Sequence, residues 1–291
     1  MSESRLQDAR VAVRGIRFRH RTLRRPLVVR RYQKLSEHDA LLASYPRSGT
    51  TWLRFLLYES LLGVSTAFGE VRRGVPGVQK IEIGIPVLDF GGRIVQTHEP
   101  YCDRDRRVVY VVRDPRSVVV SEYRWQRYSG FYAGSFDTFF KHFLVGRTNP
   151  WGSWGDHVEF WQKSPAGRND HLYVVRYEDL RSDPEGIFAG VLSFLGVHKD
   201  PSVIKQVIEN NTVERMRAKE DDARAKRGAG PKKDLRFVNT GSVGGWATAL
   251  SPTQQDAIRD RFGRTAATLG YDLSMVSEER EVSSAERRPS R

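Results

Sequence analysis

The chain has 291 residues, of which 39% are hydrophobic and 29% charged, and its 48 Lys and Arg against 35 Asp and Glu give a net charge of +13. This composition is typical of a folded globular protein with a large core. The longest apolar runs have four or five residues, whereas a membrane-spanning helix needs about 18. The single cysteine, Cys102, excludes an intrachain disulfide and a zinc site made of several cysteines. The N-terminus lacks the pattern of a secretory signal, so we expect a cytoplasmic protein.

Positive charge is concentrated at the N-terminus. Residues 1–38 contain 11 Lys or Arg and 3 acidic residues, a net charge of +8. We therefore predict a basic N-terminal leader over 1–38, a folded domain over 39–276 and a disordered tail over 277–291. The leader could bind an anionic membrane surface, an acidic substrate or nucleic acid, or it could be a solvated segment. We expect a deletion of residues 1–36 to leave ligand binding by the domain intact.

The predicted elements alternate between strands and helices along the chain. Apolar runs rich in β-branched residues predict strands at Ala40–Ser44, Arg93–Thr97, Val108–Val112 and Leu172–Arg176. Helical patterns are predicted at Trp52–Leu62, from Asp114-Pro115 onward, and from Ser182 to about Leu195. This order predicts a single α/β domain with a central, mostly parallel sheet flanked by helices.

Two segments fit the sheet pattern poorly. Residues 64–92 are interrupted by Gly and Pro and are predicted as loop. Residues 125–161 are crowded with aromatic side chains, which either belong to the core or form the wall of an apolar pocket.

The segment SYPRSGTTW, from Ser44 to Trp52, joins the first strand to the first long helix. A turn at Gly49 would direct the backbone N–H groups of Ser48, Gly49, Thr50 and Thr51 toward an anion at the helix N-terminus. Arg47 adds a fixed positive charge. A nucleoside triphosphate loop would need Gly at 44 and Lys at 50, where this chain has Ser and Thr, so a P-loop-like kinase is disfavoured.

Two further signals follow the next strands. Arg113 directly follows the strand Val108–Val112, and Ser121 lies eight residues after Arg113, which is about two helical turns. Together they could hold a second phosphate, although Arg113 could instead pair with Asp114. His98 follows the strand Arg93–Thr97, and because parallel strands present their carboxyl ends to ligands, it would lie at the same edge and could transfer a proton there.

These three signals, in this order, resemble the cytosolic sulfotransferase family, whose members transfer a sulfuryl group from 3′-phosphoadenosine 5′-phosphosulfate (PAPS). The family loop is T-Y-P-K-S-G-T-T-W, its histidine motif is K-T-H where this chain has Gln96-Thr97-His98, and VVYVVRDPRSVVVS matches its 3′-phosphate motif. The segments GSWGDHVEFW, VVRYEDLRSDPEG and FVNTGSVGGWATAL resemble later family blocks, so the likeness runs from about residue 40 to 255.

The resemblance implies roles for individual residues. His98 and Arg47 would be catalytic, His98 as the base and Arg47 as the charge beside the leaving oxygen. The nucleotide would be held by Arg47, Ser48, Gly49, Thr50, Thr51, Trp52, Arg113, Ser121, Tyr177, Thr212 and Gly241. PAPS would be the co-substrate and no metal would take part. We expect a small-molecule, glycosylated or lipid-linked acceptor and no nucleic-acid partner.

This chain also departs from the family pattern. Arg47 replaces the family's catalytic lysine, Gln96 replaces the lysine before the histidine, and Asn239-Thr240 replace the Arg-Lys pair that precedes the closing glycine. Val213 stands where the family has an aromatic residue. The family's dimer motif is poorly kept near residues 247–256, which leaves the oligomeric state open. A kinase and a non-catalytic binder of phosphorylated ligands are the rival hypotheses.

Overall fold

The computed structural model describes residues 21–226, 238 and 243–274. The strands are β1 (Ala40–Ser44), β2 (Ile94–Thr97), β3 (Val108–Val112) and β4 (Leu172–Arg176). The α-helices are α1 (Arg21–Tyr32), α2 (Thr50–Leu62), α3 (Val71–Gly74), α4 (Pro115–Tyr128), α5 (Phe136–Leu144), α6 (Trp154–Gln162), α7 (Pro165–Arg168), α8 (Tyr177–Ser182), α9 (Pro184–Phe194), α10 (Pro201–Asn210), α11 (Val213–Ala225) and α12 (Pro252–Ala267).

The four strands form one parallel sheet in the order β2-β1-β3-β4. Successive residues of a strand point to opposite faces, so each strand contributes to two cores. On one face, Leu41 packs in a cluster built from α1, α4, α5, α6 and α12. On the other face, Leu42 packs with side chains of α2, α9 and α10. The prediction of an α/β domain with a parallel sheet between two helical layers is confirmed.

The predicted strands agree with the structure except that β2 begins one residue later, at Ile94. Helix α2 begins two residues earlier than expected, at Thr50. The helix expected from Ser182 is α9, which begins at Pro184 because proline suits the first position of a helix, and Asp183 caps it by accepting from the Gly186 N–H at 2.9 Å.

The segment 64–92 is not loop throughout: besides α3 it contains 3₁₀-helices at Val78–Ile83 and Asp89–Gly91. The aromatic segment 125–161 serves both expected roles. Phe139, Phe143 and Trp161 are buried in the core, whereas Trp125 and Trp151 line a cavity.

The described part of the basic leader packs against the domain. Helix α1 buries Val28 and Tyr32 in the core, and the Tyr32 hydroxyl lies 2.9 Å from Thr97 Oγ1 at the end of β2. The boundary predicted at residue 38 therefore divides residues that share one core. In the described part of the chain, the helices are too short or too polar to cross a membrane.

Candidate active site

The candidate site lies where the strand order reverses. Strand β2 lies on one side of β1 and β3 lies on the other. The loops that follow β1 and its two neighbours therefore leave the sheet in different directions, and a crevice forms between them at the carboxyl ends of the strands. A cavity of about 410 Å³ opens there. It is lined by residues from all three loops, among them Arg47, His98 and Arg113.

The loop after β1 has the backbone that an anion site requires. Arg47 has a φ of 68° and Gly49 a φ of 96°, so two residues lie in the left-handed region. At Gly49 a Cβ atom would lie 2.3 Å from Cδ2 of Tyr177, which leaves room only for glycine. Gly49 is the N-cap of α2 and has no side chain to satisfy the first N–H groups of the helix. These groups, with the positive end of the helix dipole, are directed to the cavity.

Two hydroxyl groups of the loop differ in their roles. Thr50 Oγ1 donates to Ser44 Oγ, so its proton is used within the protein. Ser48 Oγ is buried and has no hydrogen-bond partner among the described residues. A buried hydroxyl without a partner is unfavourable, and an anionic oxygen bound in the loop would satisfy it. The donor set therefore fits a phosphate or sulfate group.

A second group of cations adjoins the loop. Arg47 Nε donates to Ser121 Oγ at 3.2 Å, and the Arg113 guanidinium lies 4.3 Å from the centre of the Tyr177 ring. Burial, together with the nearby charge of Arg113, lowers the pKa of Arg47 to about 10, which leaves it protonated at neutral pH. Two arginines this close favour a ligand with more than one negative charge.

The alternative interpretation of Arg113 paired it with Asp114. In the structure, Asp114 caps α4 and binds Arg116, with 2.8 Å between Asp114 Oδ2 and Arg116 Nη2. Ser121 likewise is engaged by Arg47 from the loop after β1.

An aromatic pocket continues from the anion site. The rings of Trp52 and Tyr177 meet edge to face, with 6.4 Å between their centroids. Trp52 Nε1 donates to the Asn211 carbonyl at 2.9 Å, and Arg181 lies 5.2 Å from the centre of the Trp52 ring. This pocket has the size and polarity that suit a nucleobase.

Thr212 and Gly241 are the remaining predicted nucleotide contacts. Thr212 is the N-cap of α11, where its hydroxyl accepts from the Arg215 N–H at 3.4 Å, and its neighbours Asn211 and Val213 line the cavity. Gly241 lies outside the described residues, as do Asn239 and Thr240.

His98 is partly buried and lines the same cavity. Its Nδ1 lies 2.8 Å from the Ser44 carbonyl oxygen, which can only accept, so Nδ1 carries the proton and Nε2 has the lone pair. Burial, with added repulsion from Arg54 and Arg47, lowers the pKa of His98 to about 4. The imidazole is therefore neutral at pH 7 and able to accept a proton.

The structure adds residues that the sequence analysis did not assign to the site. His157 Nε2 donates to the His98 carbonyl at 3.1 Å, and the Tyr110 hydroxyl lies 2.9 Å from His157 Nδ1, so His157 orients the backbone of His98. Arg54 and Glu122 line the cavity. Arg54 lies one helical turn beyond Thr50 and Thr51, a spacing that could have indicated a shared face of α2.

A parallel sheet with helices on both faces and a cavity at its switch point is an architecture that binds nucleotides in many α/β proteins. Residues 37–270 match the family model described as the sulfotransferase domain, and the chain belongs to this family. Its members are enzymes, and this chain is a sulfotransferase.

Curated relatives agree with this assignment. The chain is 26% identical to Sulfotransferase 1C2 of Oryctolagus cuniculus over 265 residues, which cover 81% of this chain and 86% of the relative. It is also 26% identical to Sulfotransferase 2A1 of Mus musculus over 255 residues, which cover 78% of this chain and 84% of the relative.

Solved structures share the fold. Mouse sulfotransferase SULT7A1 complexed with PAP has a TM-score of 0.60 at 20% identity, covering 82% of this chain and 88% of that chain. Retinol dehydratase in a complex with retinol and PAP has a TM-score of 0.63 at 18% identity, covering 80% of this chain and 82% of that chain.

Proposed function

We propose that this protein transfers the sulfuryl group of PAPS to a hydroxyl or amine of a small-molecule, glycosylated or lipid-linked acceptor. One observation carries the proposal: the buried anion site of Arg47, Arg113 and the α2 N-terminus shares a cavity with the unprotonated Nε2 of His98. Such an arrangement combines charge stabilisation at one end with a base at the other, as an in-line displacement requires.

The donor would be held by the groups already described. The loop from Arg47 to Thr51, with the Ser48 hydroxyl, would bind the 5′-phosphosulfate, and Arg113 with Ser121 would bind the 3′-phosphate. Trp52 and Tyr177 would hold the adenine. The PAP complexes of SULT7A1 and retinol dehydratase support a ligand of this class.

His98 and Arg47 divide the chemistry. His98 Nε2 takes the proton from the acceptor as its oxygen or nitrogen bonds to sulfur, and the bond from sulfur to the 5′-phosphate oxygen breaks, releasing PAP. Arg47 stabilises the negative charge that develops on that oxygen. A guanidinium retains its proton, so Arg47 acts by charge alone. Arg54, which lines the cavity, supplies a cation on the side where Gln96 has replaced the family's lysine.

Calorimetric titration with adenosine 3′,5′-bisphosphate, beside ATP with Mg²⁺, tests the donor site. We expect micromolar binding of the bisphosphate that Arg113→Ala weakens by about 10- to 100-fold, since a charged hydrogen bond contributes roughly 1.5–3 kcal/mol. Arg104→Ala, at an arginine whose side chain is 54% exposed, is the matched control and should bind normally. Binding of ATP with Mg²⁺ in preference to the bisphosphate would favour the kinase instead.

Transfer from PAPS tests the base. His98→Ala should reduce turnover by about 10²- to 10⁴-fold, the usual contribution of a positioned base, while the bisphosphate still binds. Turnover unchanged by this substitution would contradict the role of His98 as the base, and a wild type without any transfer from PAPS would favour the non-catalytic binder.

We also propose that the enzyme is cytoplasmic. From the positive charge of residues 1–38 we propose that its N-terminal segment contacts anionic membranes. Deletion of residues 1–20 removes five arginines and leaves helix α1 in place. The truncated protein should bind the bisphosphate normally and bind phosphatidylserine vesicles less tightly. Equal vesicle binding by both proteins would contradict the membrane contact.

A further inference from the structure

Glu122 is a buried carboxylate that the proposed reaction does not use. It follows Ser121 on α4, is 1% exposed and lines the cavity. Its Oε1 accepts from Asn149 Nδ2 at 3.0 Å and from Gln126 Nε2 at 3.2 Å. Its Oε2 is buried without a hydrogen-bond partner among the described residues. One oxygen is thus held in place, whereas the other accepts no hydrogen bond from the described residues in this geometry.

This arrangement is costly for the protein alone. A buried carboxylate oxygen without a donor loses its hydration and gains nothing in return. Burial raises the pKa of the Glu122 carboxyl to about 7, against the opposing effect of its hydrogen bonds and of Arg47. Packing would be served as well by glutamine, whose oxygen could accept the same two bonds. Above this pKa the carboxyl is ionised and its Oε2 can only accept, so in this form it points to a ligand that brings a hydrogen-bond donor.

The neighbours of Glu122 connect it to His98. Asn149, which donates to Glu122, also accepts at its Oδ1 from the backbone N–H of Trp151 at 2.9 Å. The Trp151 ring in turn lies 5.1 Å from the His98 ring, measured between centroids. Glu122 is thereby tied to the wall beside the proposed base, where the acceptor would lie, and not to the Trp52 and Tyr177 pocket.

We propose that Glu122 Oε2 accepts a hydrogen bond from a second O–H or N–H group of the acceptor, beside the group that receives the sulfuryl. Glu122 is then a specificity residue that selects acceptors with at least two donor groups, such as diols and polyphenols, over otherwise similar acceptors with one. This inference rests on the proposed function, because it assumes that the acceptor binds beside His98.

The substitution Glu122→Gln separates this role from packing. Asn149 and Gln126 both donate to Oε1, so the amide oxygen of the variant would take that place and its NH₂ group would replace Oε2. The atom that meets the acceptor changes from a hydrogen-bond acceptor to a donor with little change in volume. Glu178→Gln is the matched control, since Glu178 is a largely buried carboxylate whose oxygens accept from the Asp114 N–H and the Tyr271 hydroxyl.

The probes are three pairs that differ by one methyl group: catechol, resorcinol and hydroquinone, each with its monomethyl ether. For at least one pair, kcat/KM of the wild type at saturating PAPS and about pH 8, where the Glu122 carboxyl is mostly ionised, should favour the diol by about 10- to 100-fold, as expected for a hydrogen bond to a charged group. Glu122→Gln should lose this preference through a higher KM for the diol, and Glu178→Gln should keep it.

Equal treatment of both members of every pair by the wild type, or a preference that survives Glu122→Gln, overturns the proposal. Titration of the same proteins with adenosine 3′,5′-bisphosphate separates this failure from failure of the proposed function. Normal bisphosphate binding without a preference between each diol and its monomethyl ether refutes only the role of Glu122. Absent bisphosphate binding refutes the donor site itself.

Discussion

The imidazole of His98 is kept neutral by its surroundings, and this should make the stability of the protein depend on pH. Its pKa is about 4 in the folded chain, against an ordinary value of 6.5. Between these values the unfolded chain binds a proton that the folded chain does not. The free energy of unfolding should therefore fall as the pH falls through this range.

His98→Gln should reduce the dependence of the free energy of unfolding on pH in this range. Urea unfolding at about pH 7 and about pH 5 should show the wild type losing about 1–2 kcal/mol more than the variant. His38→Gln, at a histidine exposed on the surface, serves as the control and should follow the wild type. Identical pH dependence in all three proteins would contradict the lowered pKa.

Gly49 is required for two separate reasons, a left-handed backbone and the close approach of Tyr177. Gly49→Ala should lower the free energy of unfolding by about 1–3 kcal/mol or more and weaken bisphosphate binding, because the loop must move. Gly63 has a φ of 68° and nothing within 4 Å of the position that a Cβ atom would take, so Gly63→Ala isolates the backbone effect. Calorimetry and urea unfolding of both variants measure the difference, and equal losses would mean that Tyr177 yields without cost.

Helices α2 and α11 are joined by a buried ion pair. Lys219 Nζ lies 2.6 Å from Glu59 Oε1, and Asn211 Nδ2 donates to Glu59 Oε2 at 2.8 Å. Since the Asn211 carbonyl accepts from the Trp52 indole, this cluster also holds one wall of the aromatic pocket.

Glu59→Gln should leave the largely buried Lys219 ammonium without its counter-charge and lower the free energy of unfolding by about 1.5–3 kcal/mol, since Lys219 keeps its hydrogen bond to Asn211. The matched control is Asp256→Asn, which breaks an exposed pair with Arg259 and should cost less than about 1 kcal/mol. Urea unfolding measures both. A cost for Glu59→Gln as small as that of the control would show that the cluster adds little to the packing of these helices.

At the scale of elements, the sequence predicted well wherever a local signal was strong. Strands β1 and β3 have the predicted bounds because continuous apolar runs are buried on both faces of a parallel sheet. Strand β4 also has the predicted bounds, although it lies at the edge of the sheet and is mostly only partly buried. Helix α8 was not predicted. Its residues, Tyr177–Ser182, directly follow β4 and include only two buried side chains, Tyr177 and Leu180. So short a helix has little periodicity to reveal it.

At the scale of the whole molecule, helix α1 changes the expected effect of removing the leader. A deletion of residues 1–36 would take Tyr32 from the core, where its ring also meets Tyr101 edge to face at 4.8 Å. Loss of one such aromatic side chain costs about 3–5 kcal/mol. We expect this deletion to lower the midpoint of thermal unfolding sharply and a deletion of residues 1–20 to change it far less. Similar midpoints for the two truncated proteins would contradict the packing of α1.

The sequence alone was sufficient for the fold class, for the loop after β1, and for the placement of Arg47, His98 and Arg113 at one edge of the sheet. These follow from local rules, since a parallel strand presents the residues just after its carboxyl end to the same crevice. Only the tertiary structure decided which of their neighbours complete the site. Glu122 depends on Asn149 from another segment, and His98 is oriented by His157, which is 59 residues away along the chain. Contacts between distant segments leave no periodicity or spacing in the sequence, so burial and hydrogen bonding at these positions arise only when the layers pack.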